Sequence, residues 1–289
     1  MSETGAPGAL YIVATPIGNL EDLTPRAART FAEVDFIAAE DTRVTVKLLN
    51  YLGLKKPLLS YHKYSDAARG SAILARVCAG ESCALCSDAG MPAVSDPGEE
   101  LVREAIAQGI RVVPVPAASA AVTALAVSGQ FTGRWAFEGF LPTNRRQRAA
   151  RLEEICADQR TLIFYEAPHK LVTTLGDLLE AFGDRSVSVC RELTKLHEEI
   201  RKTTLAAALA DYREGGALAP PRGEFVLVVA GAQPPAPEAW TLDAAVALAA
   251  SYAAAGQAQS AACRAAAAES GFSKSEIYRA LTAQKEGDR

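Results

Sequence analysis

Residues 87–98 read "SDAGMPAVSDPG", directly after the apolar run Ala84-Leu85-Cys86. Two glycines, two prolines and two aspartates in twelve residues would break a helix or an interior strand. The stretch is therefore a loop that begins where a strand stops. The chain on either side repeats that pattern. Residues 10–14 are a short apolar run ended by Thr15-Pro16-Ile17-Gly18-Asn19. Residues 36–39 run into Glu40-Asp41-Thr42-Arg43, and residues 112–115 into Pro116-Ala117-Ala118-Ser119. A further strand is expected at 58–61. Helical patterns fill the gaps at 25–34, 42–52, 66–79 and 97–108, the first with Thr24 as N-cap and Pro25 at the opening position. Strands alternating with helices imply a mainly parallel sheet covered on both faces.

A second unit begins near Gly133. Its strand-like runs lie at 135–141, 161–165, 186–190 and 225–230, with helical patterns at 145–157, 168–182 and 203–213. "GAQPPAPEA" (231–239) is a proline-rich linker. The expected organisation is an N-terminal α/β domain over 10–132, a second α/β domain over 133–230, and a helical tail over 240–289.

A chain of 289 residues with 49% apolar residues buries a large core. No run reaches the roughly 18 apolar residues of a membrane span. The opening MSETGAPGAL lacks a basic-then-apolar pattern, so a loose tail on a cytoplasmic protein is expected. Six cysteines in this length do not form a disulfide framework. Cys83 and Cys86 make one C-x-x-C without a second pair or a nearby histidine, which reads as strand core and not as zinc; no metal is expected. The net charge of −4 excludes a uniformly basic nucleic-acid binder. Arg145, Arg146, Arg148 and Arg151 nevertheless crowd seven residues, and Arg201-Lys202 form a smaller pair.

In open parallel sheets ligands sit beyond the carboxyl ends of the strands. Four loops of polar, glycine and proline residues converge there, which points to a cleft. Neither G-x-x-x-x-G-K-[ST] nor G-x-G-x-x-G is present, so the ligand lacks a pyrophosphate. The acidic pair Glu40-Asp41 after the second strand keeps a dinucleotide oxidoreductase in view.

TPIGNLEDLTPRA (15–27), AAEDTR (38–43), SDAGMPAVSDPG (87–98), PVPAASAAVTALAVSG (114–129), YEAPHK (165–170) and CRELTKLHEE (190–199) together resemble the tetrapyrrole methylase superfamily. Within it they resemble the branch that methylates ribosomal RNA. The likeness runs in order from about residue 10 to 230. It implies two α/β domains with S-adenosylmethionine in the cleft between them. It also implies methylation of a cytidine ribose 2′-hydroxyl in the decoding region of 16S ribosomal RNA, by a homodimer acting on the RNA or the small ribosomal subunit. The superfamily's glycine-rich first loop is reduced here to Pro16-Ile17-Gly18. By the same likeness Asp88, Ala89, Gly90 and Met91 lie beside the cofactor, Ser119 and Ala120 match the next cofactor-lining loop, and Tyr165 matches the corresponding strand end of the second domain.

Methyl transfer to a hydroxyl is an in-line displacement in which a base or a charge near the alkoxide helps. The candidates at the rim are Asp41 as base, Arg43 as substrate clamp and Lys195, with His169 and His197 also in reach of that role. Residues 259–281 read as helix, a Gly271 turn, then a helix capped at Ser273 with Glu276 three residues on. That unit keeps a helix-turn-helix regulator open, and a tetrapyrrole carbon methyltransferase is the other alternative.

Overall fold

Cys83–Cys86 (β4) is the centre of the first sheet, and its four residues are all buried. The structure, a computed structural model, describes residues 8–62, 67–233 and 240–287. Residues 1–7 of the expected tail and 234–239 of the expected linker lie outside them. One compact unit runs to Ala232 and a second takes the rest.

Around β4 lie β1 (Ala9–Val13), β2 (Phe36–Ala39), β3 (Leu58–Ser60) and β5 (Arg111–Val115), in the order β3-β2-β4-β1-β5 and all parallel. Strand side chains alternate between faces. Leu10, Ile12, Phe36, Ala38, Cys83 and Leu85 face one layer, packed with Ile73 and Leu74 of α3 (Ala67–Cys78) and Leu101 of α4 (Glu99–Ala107). Val13, Ile37, Ala39, Ala84 and Cys86 face the other, against Phe31 of α1 (Pro25–Glu33) and Leu49 of α2 (Thr42–Tyr51). Burial on both sides is why these strands read as unbroken apolar runs. Cys83 and Cys86 thus point to opposite layers and could not close on one metal ion. Burial pushes both thiols up to about 12.

The second sheet comprises β6 (Trp135–Gly139), β7 (Thr161–Glu166), β8 (Ser186–Arg191), β9 (Glu199–Thr204) and β10 (Phe225–Val229), ordered β6-β7-β10-β8-β9. Only β6 and β7 run parallel; β10 runs antiparallel to β7 and β8, and β8 to β9. Strand β9 was not expected from the sequence. It is an edge strand of polar residues, EIRKTT, with no apolar run to betray it. It also accounts for one basic pair: Arg201 is ion-paired with Asp211, and Lys202 donates to the Gly129 carbonyl at 2.6 Å.

Helices α6 (Arg145–Ile155), α7 (Leu171–Phe182) and α8 (Leu205–Tyr212) cover one face of this sheet with Leu152, Leu171, Leu175, Leu178 and Leu205. Its other face is covered by α5 (Ala120–Val127), the helix that follows the last strand of the first sheet. Ala121, Ala124 and Leu125 pack there on Ile163, Cys190, Val226 and Val228.

The second unit holds α9 (Leu242–Ala254), α10 (Gln259–Ser270) and α11 (Lys274–Gly287) around Ala245, Val246, Ala249, Cys263, Ala266, Ile277 and Leu281. Gly271 ends α10 in the left-handed region at φ +76°. The expected capping box is formed: the Ser273 N–H donates to Glu276 Oε2 at 2.9 Å, and the Glu276 N–H to Ser273 Oγ at 3.2 Å. Among the described residues no helix is long and apolar enough to cross a membrane.

Candidate active site

The 87–98 loop leaves β4 and folds back on the loop after β1. Thr15 N–H donates to the Gly90 carbonyl at 2.9 Å, and Gly90 N–H returns to the Thr15 carbonyl at 3.0 Å. Gly90 holds φ at +75°, a conformation a side chain would oppose. Ala93 and Ser95 take φ values of +68° and +64° without being glycine. Strain of this kind, about 1–3 kcal/mol per residue, persists where the surroundings over-determine the backbone. Asp96 follows directly in the same loop.

The result is a cavity of about 430 Å³ between the loops of the first sheet and the rim of the second. Ala89, Gly90, Met91, Ser119, Ala120 and Tyr165, six of the residues expected beside the cofactor, all line it. Tyr165 also ties the two sides together: its hydroxyl accepts from the Ala121 N–H, at the start of α5, at 3.0 Å. Pro16, Gly18 and Asp88 are placed differently. They line a neighbouring cavity of about 190 Å³ with Val44, Thr45 and Lys47. Sequence reasoning missed Asp96, Phe140, Glu166 and Leu193 in the main cavity. Asp96 stands inside the quoted loop, and its pairing with Pro97-Gly98 was a signal that it sits on a turn.

The catalytic candidates are arranged in ways that change their reading. Asp41 caps α2, accepting the Arg43 N–H at 2.8 Å, and is gripped by the Arg43 guanidinium at 2.6 Å. That hydrogen bond holds the Asp41 carboxyl down to about 2. Arg43, expected as a substrate clamp, is engaged by Asp41 and also faces the Asp88 carboxylate. Lys195 Nζ reaches Glu192 at 2.9 Å and Glu224 at 2.8 Å, and its stem lies where a Cβ on Gly18 would be. Burial disfavours the ammonium, but the two carboxylates outweigh it, so Lys195 stays charged and bridges the Gly18 loop to the second sheet. His169 and His197 are both exposed and do not line the cavity.

Asp96 has the opposite environment to Asp41. Burial pushes its carboxyl up to about 6, the charges of Glu40 and Asp88 add to this, and a hydrogen bond with Ser87 opposes it. Glu166 is buried, accepting from the Ala167 N–H at 2.8 Å and from the Thr174 hydroxyl.

The lining identifies the kind of ligand. Asp96, Glu166 and Glu224 supply negative charge and Phe140 and Tyr165 aromatic surface, while no lysine or arginine lines the cavity among the described residues. That is a poor place for a pyrophosphate and a good one for a nucleoside bearing a cation. S-adenosylmethionine, with its sulfonium and adenosine, fits this wall. The chain belongs to the tetrapyrrole methylase family: the signature described as Tetrapyrrole (Corrin/Porphyrin) Methylases matches residues 9–209. It is accordingly a methyltransferase that uses S-adenosylmethionine.

Two relatives share close sequence. The "Ribosomal RNA small subunit methyltransferase I" of Halalkalibacterium halodurans is 53% identical over 224 residues, covering 78% of this chain and 76% of that one. The protein of the same name from Synechocystis is 50% identical over 228 residues, covering 78% and 80%. Among solved structures, uroporphyrin-III-C-methyltransferase from Thermus thermophilus aligns with a TM-score of 0.54 over 76% of this chain and 94% of its own, at 20% identity. The last comparison speaks to the fold alone.

Proposed function

We propose that the chain methylates small-subunit ribosomal RNA, at the ribose 2′-hydroxyl of a cytidine in the decoding region of the 16S molecule, as a cytoplasmic homodimer. The observation that carries this reading is the identity of about half the residues, across nearly the full α/β body, with relatives named for that RNA. When bound, S-adenosylmethionine supplies a methyl group on a sulfonium, an electrophile that needs no metal.

The protein's own residues do the rest. Ala89, Gly90, Met91, Ser119, Ala120 and Tyr165 hold the donor, using apolar contacts and backbone groups. Asp96 takes the proton from the acceptor hydroxyl. A carboxyl with a value of about 6 is mostly ionised at neutral pH, yet basic enough to accept a proton as the oxygen attacks. Asp41, Arg43 and Lys195 position the walls: the first two by fixing the start of α2, the third by pinning the Gly18 loop. Pro16, Gly18 and Asp88 line the neighbouring, smaller cavity.

Labelled methyl transfer tests this reading. Incubation with S-adenosylmethionine and small-subunit RNA should make one ribose resistant to alkaline cleavage. Label entering a porphyrin-type acceptor and not RNA would overturn it.

A further inference from the structure

The four arginines of α6 look alike in sequence but divide into two pairs in the structure. Arg148 is ion-paired with Asp177 and donates to the Thr174 hydroxyl at 2.7 Å. Arg151 is held by Glu138 at 2.7 Å and Glu154 at 2.8 Å. These two charges are used inside the fold. Arg145 and Arg146 are exposed, and neither has a carboxylate partner among the described residues.

Their position is set by the sheet. Strands β6 and β7 are parallel neighbours, so their carboxyl ends abut and the helices they launch start side by side. Arg148 fixes this, because it reaches from the first turn of α6 to Thr174 and Asp177 in the first two turns of α7. Arg145 and Lys170 each stand about one turn closer to the strand ends. Asn144 caps α6 by accepting from the Arg146 and Gln147 N–H groups, which fixes the connection back to Phe140. Phe140 lines the cavity yet is 58% exposed, with its ring edge-on to Tyr165 at 5.6 Å. An aromatic face at the cavity mouth is thus followed by unpaired cations leading away from it.

On the second sheet's side Glu166 is buried and Glu224 is held by Lys195 at 2.8 Å, whereas the first sheet's lip is acidic without such cover. Glu40, Asp41, Asp88 and Asp96 stand there against Arg43 and Lys47, and Arg43 is already bound to Asp41. A polyanion crossing the mouth is repelled by the first sheet's rim and attracted by the exposed Arg145 and Arg146.

We propose that single-stranded RNA lies across the second sheet's lip, with a base stacked on Phe140 and its phosphates on Arg145, Arg146 and Lys170. Stacking on an aromatic face beside tracked phosphates is the physical pattern of single-strand binding. The proposal rests on the ribosomal RNA reading and names the surface that receives that RNA.

The test measures binding of a labelled single-stranded oligoribonucleotide from small-subunit RNA across a range of salt concentrations. Each lost phosphate contact lowers the slope of log affinity against log salt by about 0.7, so Arg145→Ala/Arg146→Ala should lower it by about 1.4. Calorimetric affinity for S-adenosylmethionine should stay as in the wild type. Phe140→Ala should weaken RNA binding roughly fivefold or more at every salt concentration with the slope intact, and Phe140→Trp should restore it. Arg148→Ala should keep the slope and lower the Tm. A wild type that binds RNA, together with an unchanged slope in the double variant, overturns the strip and leaves the RNA reading standing. A wild type that neither binds nor methylates the RNA overturns both.

Discussion

Replacing Asp96 with asparagine should lower activity and raise stability at the same time. The carboxyl moves from its ordinary 3.8 to about 6 on folding, first because it is buried and then because Glu40 and Asp88 repel its charge. Keeping it ionised at neutral pH therefore costs the fold up to about 3 kcal/mol, and about 1–2 kcal/mol once partial solvent screening is allowed for. The folded carboxyl holds its proton more tightly than the unfolded one. Its contribution to stability is thus full below about pH 4 and is lost as the pH climbs through 6. Asp96→Asn removes that penalty, so its Tm should exceed the wild type's at pH 7 and converge with it toward pH 4. Catalysis should move the other way. With the base neutralised, single-turnover methyl transfer should fall by roughly 10²- to 10⁴-fold. In the wild type the rate should climb about tenfold per pH unit below 6 and flatten above it. A variant that loses both activity and stability would mark Asp96 as structural. A rate that ignores pH between 5 and 7 would remove it as the base.

Gly90→Val should weaken S-adenosylmethionine binding by about tenfold or more. A branched residue at φ +75° costs about 1–3 kcal/mol and loosens the paired hydrogen bonds with Thr15; unchanged calorimetric affinity would take the 87–98 loop out of the site. A thiol reagent at pH 8 should label exposed Cys78 quickly and reach Cys83, Cys86 and Cys190 only on unfolding, since burial pushes their thiols up to about 12, 12 and 11. Rapid native labelling of that buried trio, read by mass spectrometry, would contradict the core described above. Deleting residues 240–289 should leave a folded protein that binds the donor as tightly as the full chain, because the compact unit ending at Ala232 contains the whole cavity. Insoluble or donor-blind truncated protein would refute this.

The first sheet was legible because strands such as FIAA and CALC are buried on both faces and are punctuated by glycine and proline. The caps at Thr24 and Ser273 were legible for the same local reason. The site was less so, because its charges are set by partners distant in sequence. Nothing near Arg148 announces Asp177, and nothing near Lys195 announces the Gly18 loop beneath its stem. Asp41 looked free in AAEDTR, although the arginine two positions on neutralises it. Asp96 went unnoticed inside the 87–98 loop, because only folding buries it beside Glu40 and Asp88. Strand β9 stayed hidden because an edge that faces water needs charge more than it needs an apolar stripe.

The placement of α5 has a consequence for how the cavity can move. Because this helix is anchored on the second sheet through Ala121, Ala124 and Leu125, the chain passes from one lobe to the other between Val115 and Ala120. Any swing that widens the mouth turns about residues 116–119, well before the glycine at 133. Ser119 belongs to both the pivot and the cavity wall, and Ala120 beside it lines the same wall. Opening the mouth therefore deforms the donor's own cradle, so that the grip on the cofactor and the width of the entrance change in a single motion.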